Sequence, residues 1–260
     1  MNGSTKGAFT LKIFRGVPGD QFWEEFELER MEGMNIVSAL MEIQKNPVTK
    51  EGKKVEPVVW EMACLEEVCG SCSVLINGVP RQACTALIEE IIKESGRTRI
   101  TLAPFSKFPL IRDLYVDRTS MFESLKQIKA WVPSAELHAE TFGPPIPPGQ
   151  QEAMYVESTC MTCGCCLEAC PQVNNRSSFI GAAAINQVKL FNAHPIGKNL
   201  KKERLLRMMQ KGGISECGKS QNCVQVCPKK IPLTQSIADV GHQTSKEYFK
   251  HKFGLPEHED

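Results

Sequence analysis

The stretch CMTCGCCLEACP, which runs from Cys160 to Pro171, holds five cysteines within eleven residues. Four of these cysteines and the proline fit the spacing C-x2-C-x2-C-x3-C-P of bacterial iron-sulfur proteins, in which three cysteines bind one cluster and the fourth binds another. The four are Cys160, Cys163, Cys166 and Cys170. Cys165 is left over. Because Cys170 needs a second cluster to bind and the first cluster still lacks a fourth ligand, the spacing predicts a second cysteine run elsewhere.

A second run, CGKSQNCVQVCP, extends from Cys217 to Pro228 and matches the same template with one cysteine missing. Ser220 occupies the place of that cysteine. Since the last cysteine of each run binds the cluster of the other run, Cys227 completes a [4Fe-4S] site. The predicted ligands of this site are Cys160, Cys163, Cys166 and Cys227.

The three cysteines that remain in the two runs form a second predicted site. They are Cys170, Cys217 and Cys223. Three thiolates support three irons, whereas Ser220 offers only a hydroxyl, which is hard to deprotonate and is a harder donor than sulfur. The second site is therefore predicted to hold a [3Fe-4S] cluster, and ligation of an iron by Ser220 is the alternative.

A third group of cysteines lies in CLEEVCGSCSVLINGVPRQAC, residues 64–84. Its first three cysteines have the spacing C-x4-C-x2-C, which belongs to plant-type [2Fe-2S] ferredoxins. Between them, Gly70 and Ser71 are small, as expected where backbone amides must approach sulfur closely.

The fourth ligand of this site should be returned by a hairpin. Asn77-Gly78 stands between two apolar segments and is a strong signal for a two-residue turn. Such a turn pairs Ile76 with Val79 and brings Cys84 beside Cys72. The predicted ligands of the [2Fe-2S] cluster are Cys64, Cys69, Cys72 and Cys84.

Structural zinc and disulfides are the other common uses of closely spaced cysteines. A zinc site has no use for five cysteines in eleven residues or for a C-x4-C-x2-C run. The opening MNGSTKGAFT has no apolar signal region, and 260 residues can bury a core without disulfides. For Cys165 alone, we expect a small packed thiol with no metal.

Composition excludes several classes of function. With 31 basic and 30 acidic residues the net charge is +1, so charge gives no case for a nucleic-acid partner. No apolar run approaches the roughly 18 residues that cross a bilayer, and any membrane attachment is expected to come through a partner. No G-x-G-x-x-G or P-loop motif indicates a nucleotide or flavin site, and the five histidines lack the spacing of metal ligands.

The flanking sequence predicts two domains of an α+β fold. AFTLKIFRG alternates as a strand with Phe9, Leu11 and Ile13 on one face, QFWEEFELE and RTRITLAP read as further strands, and MNIVSALMEIQ has helical periodicity. With the cysteine loop and hairpin, these predict a β-grasp ferredoxin domain over residues 1–115.

Residues 116–260 are predicted to form an all-α domain of the bacterial ferredoxin type, which binds the [4Fe-4S] and [3Fe-4S] clusters. Its helical segments include MFESLKQIKAWV and NLKKERLLRMMQ. The proline-rich FGPPIPPGQQ is expected to be a stiff, extended connector.

Over nearly its whole length the chain resembles the iron-sulfur subunits of succinate dehydrogenase and fumarate reductase, the succinate:quinone oxidoreductases. The resemblance is carried by the three cysteine runs and by PLIRDLYVDR, from Pro109 to Arg118. It implies that electrons pass from the flavin of a partner subunit, where succinate is oxidised, through the [2Fe-2S], [4Fe-4S] and [3Fe-4S] clusters in turn to quinone.

The resemblance also implies the partners. These are an FAD-containing dehydrogenase subunit and a membrane anchor, expected to be a haem b cytochrome, with quinone near the [3Fe-4S] cluster or in the anchor. The chain itself would have no succinate site. It would lie at the cytoplasmic face of a bacterial cell membrane, held there by its partners and serving the tricarboxylic acid cycle.

One departure from the family concerns quinone. Members that reduce ubiquinone have tryptophan shortly after the Cys-Pro of the first run and histidine directly after the first cysteine of the second. This chain has Val173, Asn174, Asn175 and Gly218 at those places. The departure predicts a different quinone, menaquinone, or a quinone site displaced into the anchor.

Two other functions remain as alternatives. A quinol:fumarate reductase that runs in the reverse direction is the nearer one, because cluster potentials and not sequence decide direction. The more distant one is an iron-sulfur adaptor of another flavoenzyme, such as a heterodisulfide or glycolate-oxidising complex. Such adaptors usually lack the plant-type domain, which this chain has.

Overall fold

A computed structural model describes residues 7–133 and 144–254 of the chain. The chain divides into two compact units, and neither of them is continuous in sequence. Of the described residues, the first unit contains those up to Arg118 together with Met161–Glu168, and the second contains those from Thr119 to Cys160 and from Ala169 onward. The predicted domain boundary between residues 115 and 116 remains a prediction. The sequence did not predict that Met161–Glu168 belongs to the first unit.

The first unit is built on a five-stranded sheet with the strand order β2-β1-β5-β3-β4. Strands β1 and β5 are parallel, and every other neighbouring pair in this sheet is antiparallel. A separate antiparallel pair is formed by β6 and β7. The strands are β1 (Ala8–Val17), β2 (Asp20–Glu29), β3 (Ser73–Ile76), β4 (Val79–Gln82), β5 (Arg99–Ala103), β6 (Leu110–Arg112) and β7 (Tyr115–Val116).

The predicted alternation of β1 is confirmed, because Phe9, Leu11 and Ile13 are each at most 1% exposed. They pack in one core with the buried face of α1 (Ile36–Lys45). A second helix in this unit, α2, spans Ile88–Ser95. Burying a large aliphatic or aromatic side chain contributes about 1.5–3 kcal/mol, so this core is the main support of the sheet.

The start of α1 is tied to one of the cysteine segments. Asn35 caps the helix, since its Oδ1 accepts a hydrogen bond of 2.8 Å from the backbone N–H of Ser38. Its Nδ2 donates at 2.9 Å to the carbonyl of Cys84. One side chain therefore caps the first turn of the helix and also binds the backbone carbonyl of a predicted cluster ligand.

The predicted hairpin is confirmed in detail. Ile76 pairs with Val79 across the turn, and Asn77 and Gly78 have φ of 50° and 81°. Two consecutive positive φ values are the geometry that Asn-Gly favours in a two-residue turn. Past the turn, the N–H of Ala83 donates to the carbonyl of Cys72 at 3.1 Å, which places the two predicted ligands Cys72 and Cys84 side by side.

The described residues of the second unit form helices and short 3-10 turns. Its core includes Ile185, Val188, Met208 and Val240, which lie on α6, α7 and α9. The helices are α3 (Thr119–Gln127), α4 (Pro148–Ser158), α6 (Gly181–Ala193), α7 (Lys201–Met209), α8 (Asn222–Gln225) and α9 (Leu233–Phe253). The short helix α5 (Cys165–Glu168) belongs to the first unit.

Buried Arg204 ties the second unit together. Its guanidinium donates to the carbonyls of Lys129, Trp131 and Gly197 and to the Oδ1 of Asn192 at 2.7–3.1 Å. Burial lowers the pKa of Arg204 to about 10. All these hydrogen-bond partners are neutral oxygens, and the nearby carboxylate of Glu203 offsets part of the effect of burial on this pKa.

Two local predictions were wrong in part. The helix predicted over MFESLKQIKAWV ends at Gln127, and Lys129 just beyond it has a φ of 52°, which no α-helix continues. The segment FGPPIPPGQQ is not extended throughout, because α4 begins at Pro148. Proline suits a first helical position, where no N–H is needed. Phe142 and Gly143 of that segment lie outside the described residues.

Across residues 7–133 and 144–254, no helix combines the length and apolarity that a bilayer span requires.

Candidate iron-sulfur centres

The loop of residues 64–72, which carries three predicted [2Fe-2S] ligands, directs backbone N–H groups at its sulfurs. The Sγ of Cys64 accepts hydrogen bonds of 3.4 Å from Glu66 and Val68, and the Sγ of Cys69 accepts one of 3.5 Å from Ser71. Burial alone would raise the pKa of Cys69, but hydrogen bonds from Ser71 and Cys64 lower it to about 6. Donors of this kind favour the thiolate, which is the form that binds iron.

The other two cysteines of this site lie deeper. Cys72 and Cys84 are each 5% exposed and stand at the two ends of the hairpin. Burial raises the pKa of the Cys72 thiol to about 12. A buried thiol of this kind ionises when a bound metal compensates its charge. Two half-exposed sulfurs with N–H donors and two buried sulfurs therefore fit a [2Fe-2S] cluster, all within the first unit.

Gly70 lets this loop approach Cys163, which belongs to the run CMTCGCCLEACP. Its φ is 75°, and a Cβ placed on it would lie 2.7 Å from the Cα of Cys163. The sequence predicted a small residue here for access to sulfur, and the structure adds the contact with Cys163 as a further reason. Arg118 fastens the same loop by donating to the carbonyls of Gly70 and Ser71 at 3.0 and 2.8 Å.

The segment of residues 163–168 is held in the first unit by a buried carboxylate. Glu168 accepts hydrogen bonds from the backbone N–H of Ser106 and Lys107 at 3.0 and 3.1 Å, and from the Ser106 hydroxyl at 2.6 Å. Gly164 has a φ of 87° where the segment turns. These contacts fix the backbone that carries Cys163, Cys165 and Cys166, which are all buried.

The surroundings of Cys163 fit a group that accepts hydrogen bonds. A hydrogen bond from Cys165 is the largest influence lowering the pKa of Cys163, and the positive charge of Arg118 lowers it further. Among the described residues, the Nε of Arg118 is buried and has no hydrogen-bond partner. Buried donors are normally paired, so an acceptor such as a cluster sulfide suits this place.

Cys165, the cysteine left over by the spacing, is fully buried in the first unit. Its Sγ accepts a hydrogen bond of 3.5 Å from the Nε2 of Gln82, which is itself 0% exposed. Sequence reasoning missed Gln82. The hairpin register was the available signal, because it pairs Gln82 with Ser73 and alternates buried with less buried positions along β4.

The predicted [4Fe-4S] ligands are divided between the two units. Cys163 and Cys166 belong to the first unit, whereas Cys160, just after α4, and Cys227, just after α8, belong to the second. This ligand set remains a prediction.

The predicted [3Fe-4S] ligands share one cavity of about 420 Å³ in the second unit. Burial raises the pKa of the Cys223 thiol, and the nearness of Cys170 and Cys217 raises it further. Ser220 lies in the same wall, between Lys219 and Gln221, which have φ of 55° and 62°. The cavity lining includes Cys170, Cys217, Cys223, Ser220, Phe179, Ala182, Ile214, Ile237 and Ala238.

The cavity combines sulfur donors with an apolar wall, which suits a sulfide-rich cluster. Within the described parts of the chain, no three Cys, His, Asp or Glu side chains converge as they would around a single ion. The fit to clusters therefore rests on the grouping, burial and donors of the thiols.

Two known family profiles match the chain in the order predicted from the cysteine spacings. One, described as a 2Fe-2S iron-sulfur cluster binding domain, matches residues 10–123. The other, described as a 4Fe-4S dicluster domain, matches residues 157–231. Together with the mixed sheet and the helices, they confirm the α+β prediction of a [2Fe-2S] ferredoxin domain followed by a two-cluster domain.

Curated relatives match over most of the chain. The succinate dehydrogenase iron-sulfur subunit of Bacillus subtilis is 52% identical over 231 residues, which are 89% of this chain and 89% of that protein. The fumarate reductase iron-sulfur subunit of Wolinella succinogenes is 29% identical over 236 residues, covering 88% and 94% of the two chains.

A solved structure supports the fold. A chain of the Mycobacterium smegmatis Sdh1 complex in the apo form superposes with a TM-score of 0.77 at 20% identity, over 94% of this chain and 98% of that one.

Proposed function

We propose, since this chain belongs to the family of iron-sulfur subunits of succinate dehydrogenase and fumarate reductase, that it passes electrons singly from a partner's flavin to a quinone. It is the electron-transfer subunit of a succinate:quinone oxidoreductase, whose partners are a flavoprotein and a membrane anchor. The [2Fe-2S], [4Fe-4S] and [3Fe-4S] clusters supply one-electron chemistry when bound, whereas a flavin can take two electrons together. The chain's own residues hold the clusters and set their surroundings.

The cavity in the second unit carries the proposal. It brings together the three thiols that the spacing assigned to one cluster, and it includes the serine that replaces the fourth. We assign Cys170, Cys217 and Cys223 to the [3Fe-4S] cluster. The other assignments are Cys64, Cys69, Cys72 and Cys84 to the [2Fe-2S] cluster, and Cys160, Cys163, Cys166 and Cys227 to the [4Fe-4S] cluster.

Iron content and paramagnetic resonance test these assignments. The purified complex should hold nine irons in this subunit, as two, four and three. Oxidised complex should show the resonance of a three-iron centre. A complex with ten irons and no such resonance would contradict the assignment and would favour Ser220 as a fourth ligand.

We propose menaquinone as the acceptor. Val173, Asn174 and Asn175 stand where ubiquinone-reducing relatives have tryptophan, and Gly218 stands where they have histidine. A Cβ on Gly218 would lie 2.5 Å from the Nε2 of Gln172, so this side chain occupies the space that a histidine would enter. A quinone site displaced into the anchor would have the same residue pattern.

Comparing quinones tests this proposal. The complex should reduce a naphthoquinone analogue faster than a ubiquinone analogue at equal concentration. Equal rates with both would remove the support for menaquinone. A Gly218→His variant that leaves the naphthoquinone rate unchanged would favour a site in the anchor.

The alternative direction, quinol-driven fumarate reduction, has support in the fumarate reductase relatives. Redox titration of the three clusters separates the two directions. Potentials that rise toward the quinone end favour succinate oxidation, and potentials below that of the fumarate/succinate couple favour reduction.

The proposed location is the cytoplasmic face of a bacterial cell membrane, where a haem b anchor holds the chain through its partner contacts. Washing membranes with chaotrope should release this chain with the flavoprotein, while the haem spectrum stays in the membrane. Release of the chain without any loss of quinone reductase activity would contradict the proposal.

A further inference from the structure

The buried side-chain amide of Gln82 contacts the segment of residues 64–84 and also Cys165 of the run CMTCGCCLEACP. Its Nε2 donates to the Oγ of Ser73 at 2.8 Å and to the Sγ of Cys165 at 3.5 Å. Its Oε1 accepts from the Sγ of Cys72 at 3.6 Å. A fully buried amide is costly unless both of its ends are paired, and here every partner lies in or beside a cysteine motif.

The orientation of this amide depends on the state of Cys72. In the arrangement described, Cys72 is a thiol and donates to Oε1. An iron-bound Cys72 is a thiolate, which has no proton to donate and repels a carbonyl oxygen. A half-turn of the carboxamide exchanges its oxygen and nitrogen at nearly the same volume. The N–H then points at the Cys72 sulfur.

The turned amide keeps a partner at its oxygen end. The Cys165 S–H is already donated to Cys163, so this partner is the Ser73 hydroxyl, which now donates to the carbonyl of Gly70 at 2.6 Å and can rotate to donate to Oε1 instead. The Gly70 carbonyl then keeps its hydrogen bond from Arg118. Both orientations are therefore paired, and the charge on Cys72 selects between them.

We propose that Gln82 is a positioning residue that donates an N–H to the Cys72 sulfur in the cluster-bound protein and raises the reduction potential of the [2Fe-2S] cluster. The proposal rests on the assignment of Cys72 as a [2Fe-2S] ligand. Reduction adds negative charge to the cluster, and a hydrogen bond to a ligand sulfur stabilises that charge. The residue acts through Cys72, since no contact places it on a substrate.

The test is a redox titration of the complete complex, followed by paramagnetic resonance. Gln82→Leu removes the donor and should lower the [2Fe-2S] potential by more than the spread of replicate titrations, while the [3Fe-4S] potential stays unchanged. Gln82→Met keeps the length of the side chain without any hydrogen-bond donor and should lower it as well. Val79→Ala, an exposed position on the same strand, is the control and should shift neither.

A second measurement uses the unaltered chain, so that it does not depend on a variant that folds. Glutamine labelled with ¹⁵N in its side chain should give a weak nitrogen coupling to the reduced [2Fe-2S] cluster in pulsed resonance spectra, and Gln82→Leu should abolish it. Absence of this coupling in the unaltered complex would overturn the proposal. So would an intact cluster of unchanged potential in Gln82→Leu.

Cys72→Ser separates this inference from the ligand assignment on which it rests. Replacement of a ligand sulfur by oxygen should change or abolish the [2Fe-2S] resonance. If that resonance is unchanged, the assignment of Cys72 has failed. If Cys72→Ser changes the [2Fe-2S] resonance while the nitrogen coupling is missing from the unaltered complex, the ligand assignment stands and only the role of Gln82 has failed.

Discussion

The [2Fe-2S] loop and the three-thiol cavity are defined by different parts of the chain. In the loop, backbone N–H groups point at sulfur and the path depends on positive φ at Leu65, Glu67 and Gly70. In the cavity, three thiols line an apolar wall and one side chain, that of Ser220, replaces a fourth. The first site should therefore be sensitive to changes of the backbone path, and the second to exchange of a side chain.

Ser220→Cys changes the cavity most directly and should have the largest effect. The added thiolate supplies the missing soft ligand, so we expect conversion to a [4Fe-4S] cluster with a lower potential. Quinone reduction should slow, whereas succinate oxidation with an artificial acceptor should continue. Iron content and the loss of the three-iron resonance measure the conversion.

The matched control for this change is Thr234→Cys, which adds a thiol to the wall of the same cavity at a position outside the motif. It should leave three irons in place. A Ser220→Cys complex that keeps the three-iron resonance would show that the serine is not what limits the iron count.

Gly70→Ala should damage the loop in a way that no side-chain exchange in the cavity can. The new Cβ would meet the Cα of Cys163 at 2.7 Å, and alanine at a φ of 75° is strained by roughly 1–3 kcal/mol before that collision is counted. We expect loss of the [2Fe-2S] signal and a lower melting temperature.

Gly78→Ala is a matched control, because Gly78 also has a positive φ, of 81°, but a Cβ there meets nothing within 4 Å. It should cost only the backbone strain and keep the cluster. Equal damage in the two variants would mean that the approach to Cys163 has no special importance.

The two kinds of sulfur within the loop should differ in reactivity once iron is removed. The pKa of Cys69 is lowered to about 6 and that of Cys72 is raised to about 12. Alkylation of Cys69 should rise through pH 6 and level off by pH 7, whereas that of Cys72 should still be rising at pH 9. At pH 8 we expect Cys69 to react at least roughly tenfold faster, even though a low-pKa thiolate is intrinsically less nucleophilic.

Mass spectrometry of peptides after timed alkylation gives both rates. Unfolding in urea should bring the two rates together, because the hydrogen bonds and the burial are lost. Similar pH profiles in the folded, iron-free chain would contradict the contrast between the two cysteines.

Local patterns in the sequence predicted the parts of the fold that local physics determines. The Asn77-Gly78 turn needs only its own positive φ values, and the burial of Phe9, Leu11 and Ile13 follows from their alternation along one strand. The pairing of Gln82 with Cys165 joins positions 83 residues apart. Spacing within a motif has no information about such a contact. For this reason the sequence did not predict the role of Gln82 or the hydrogen bonds from Arg118 to the carbonyls of Gly70 and Ser71.

The helix error has the same long-range origin. Helical periodicity continues through Ile128, yet Lys129 adopts a left-handed conformation, and the nearby Lys129 and Trp131 carbonyls accept from buried Arg204. A tertiary contact of this kind overrides propensity. The connector error has a local cause, because proline favours both an extended chain and the first position of a helix, and Pro148 takes the second of these places.

Cys165→Ala is the smallest of the expected changes and tests the register on which both regions depend. Cys165 has no assigned iron, although it is as buried as the assigned ligands beside it. Removal of a small buried thiol should cost packing of about 1 kcal/mol, with retention of all three clusters and most quinone reductase activity. Cys166→Ala removes an assigned ligand and should abolish the [4Fe-4S] signal and impair assembly. The opposite result, with Cys165 essential and Cys166 dispensable, would shift the register of the first run by one residue and reassign the ligands of the [4Fe-4S] site.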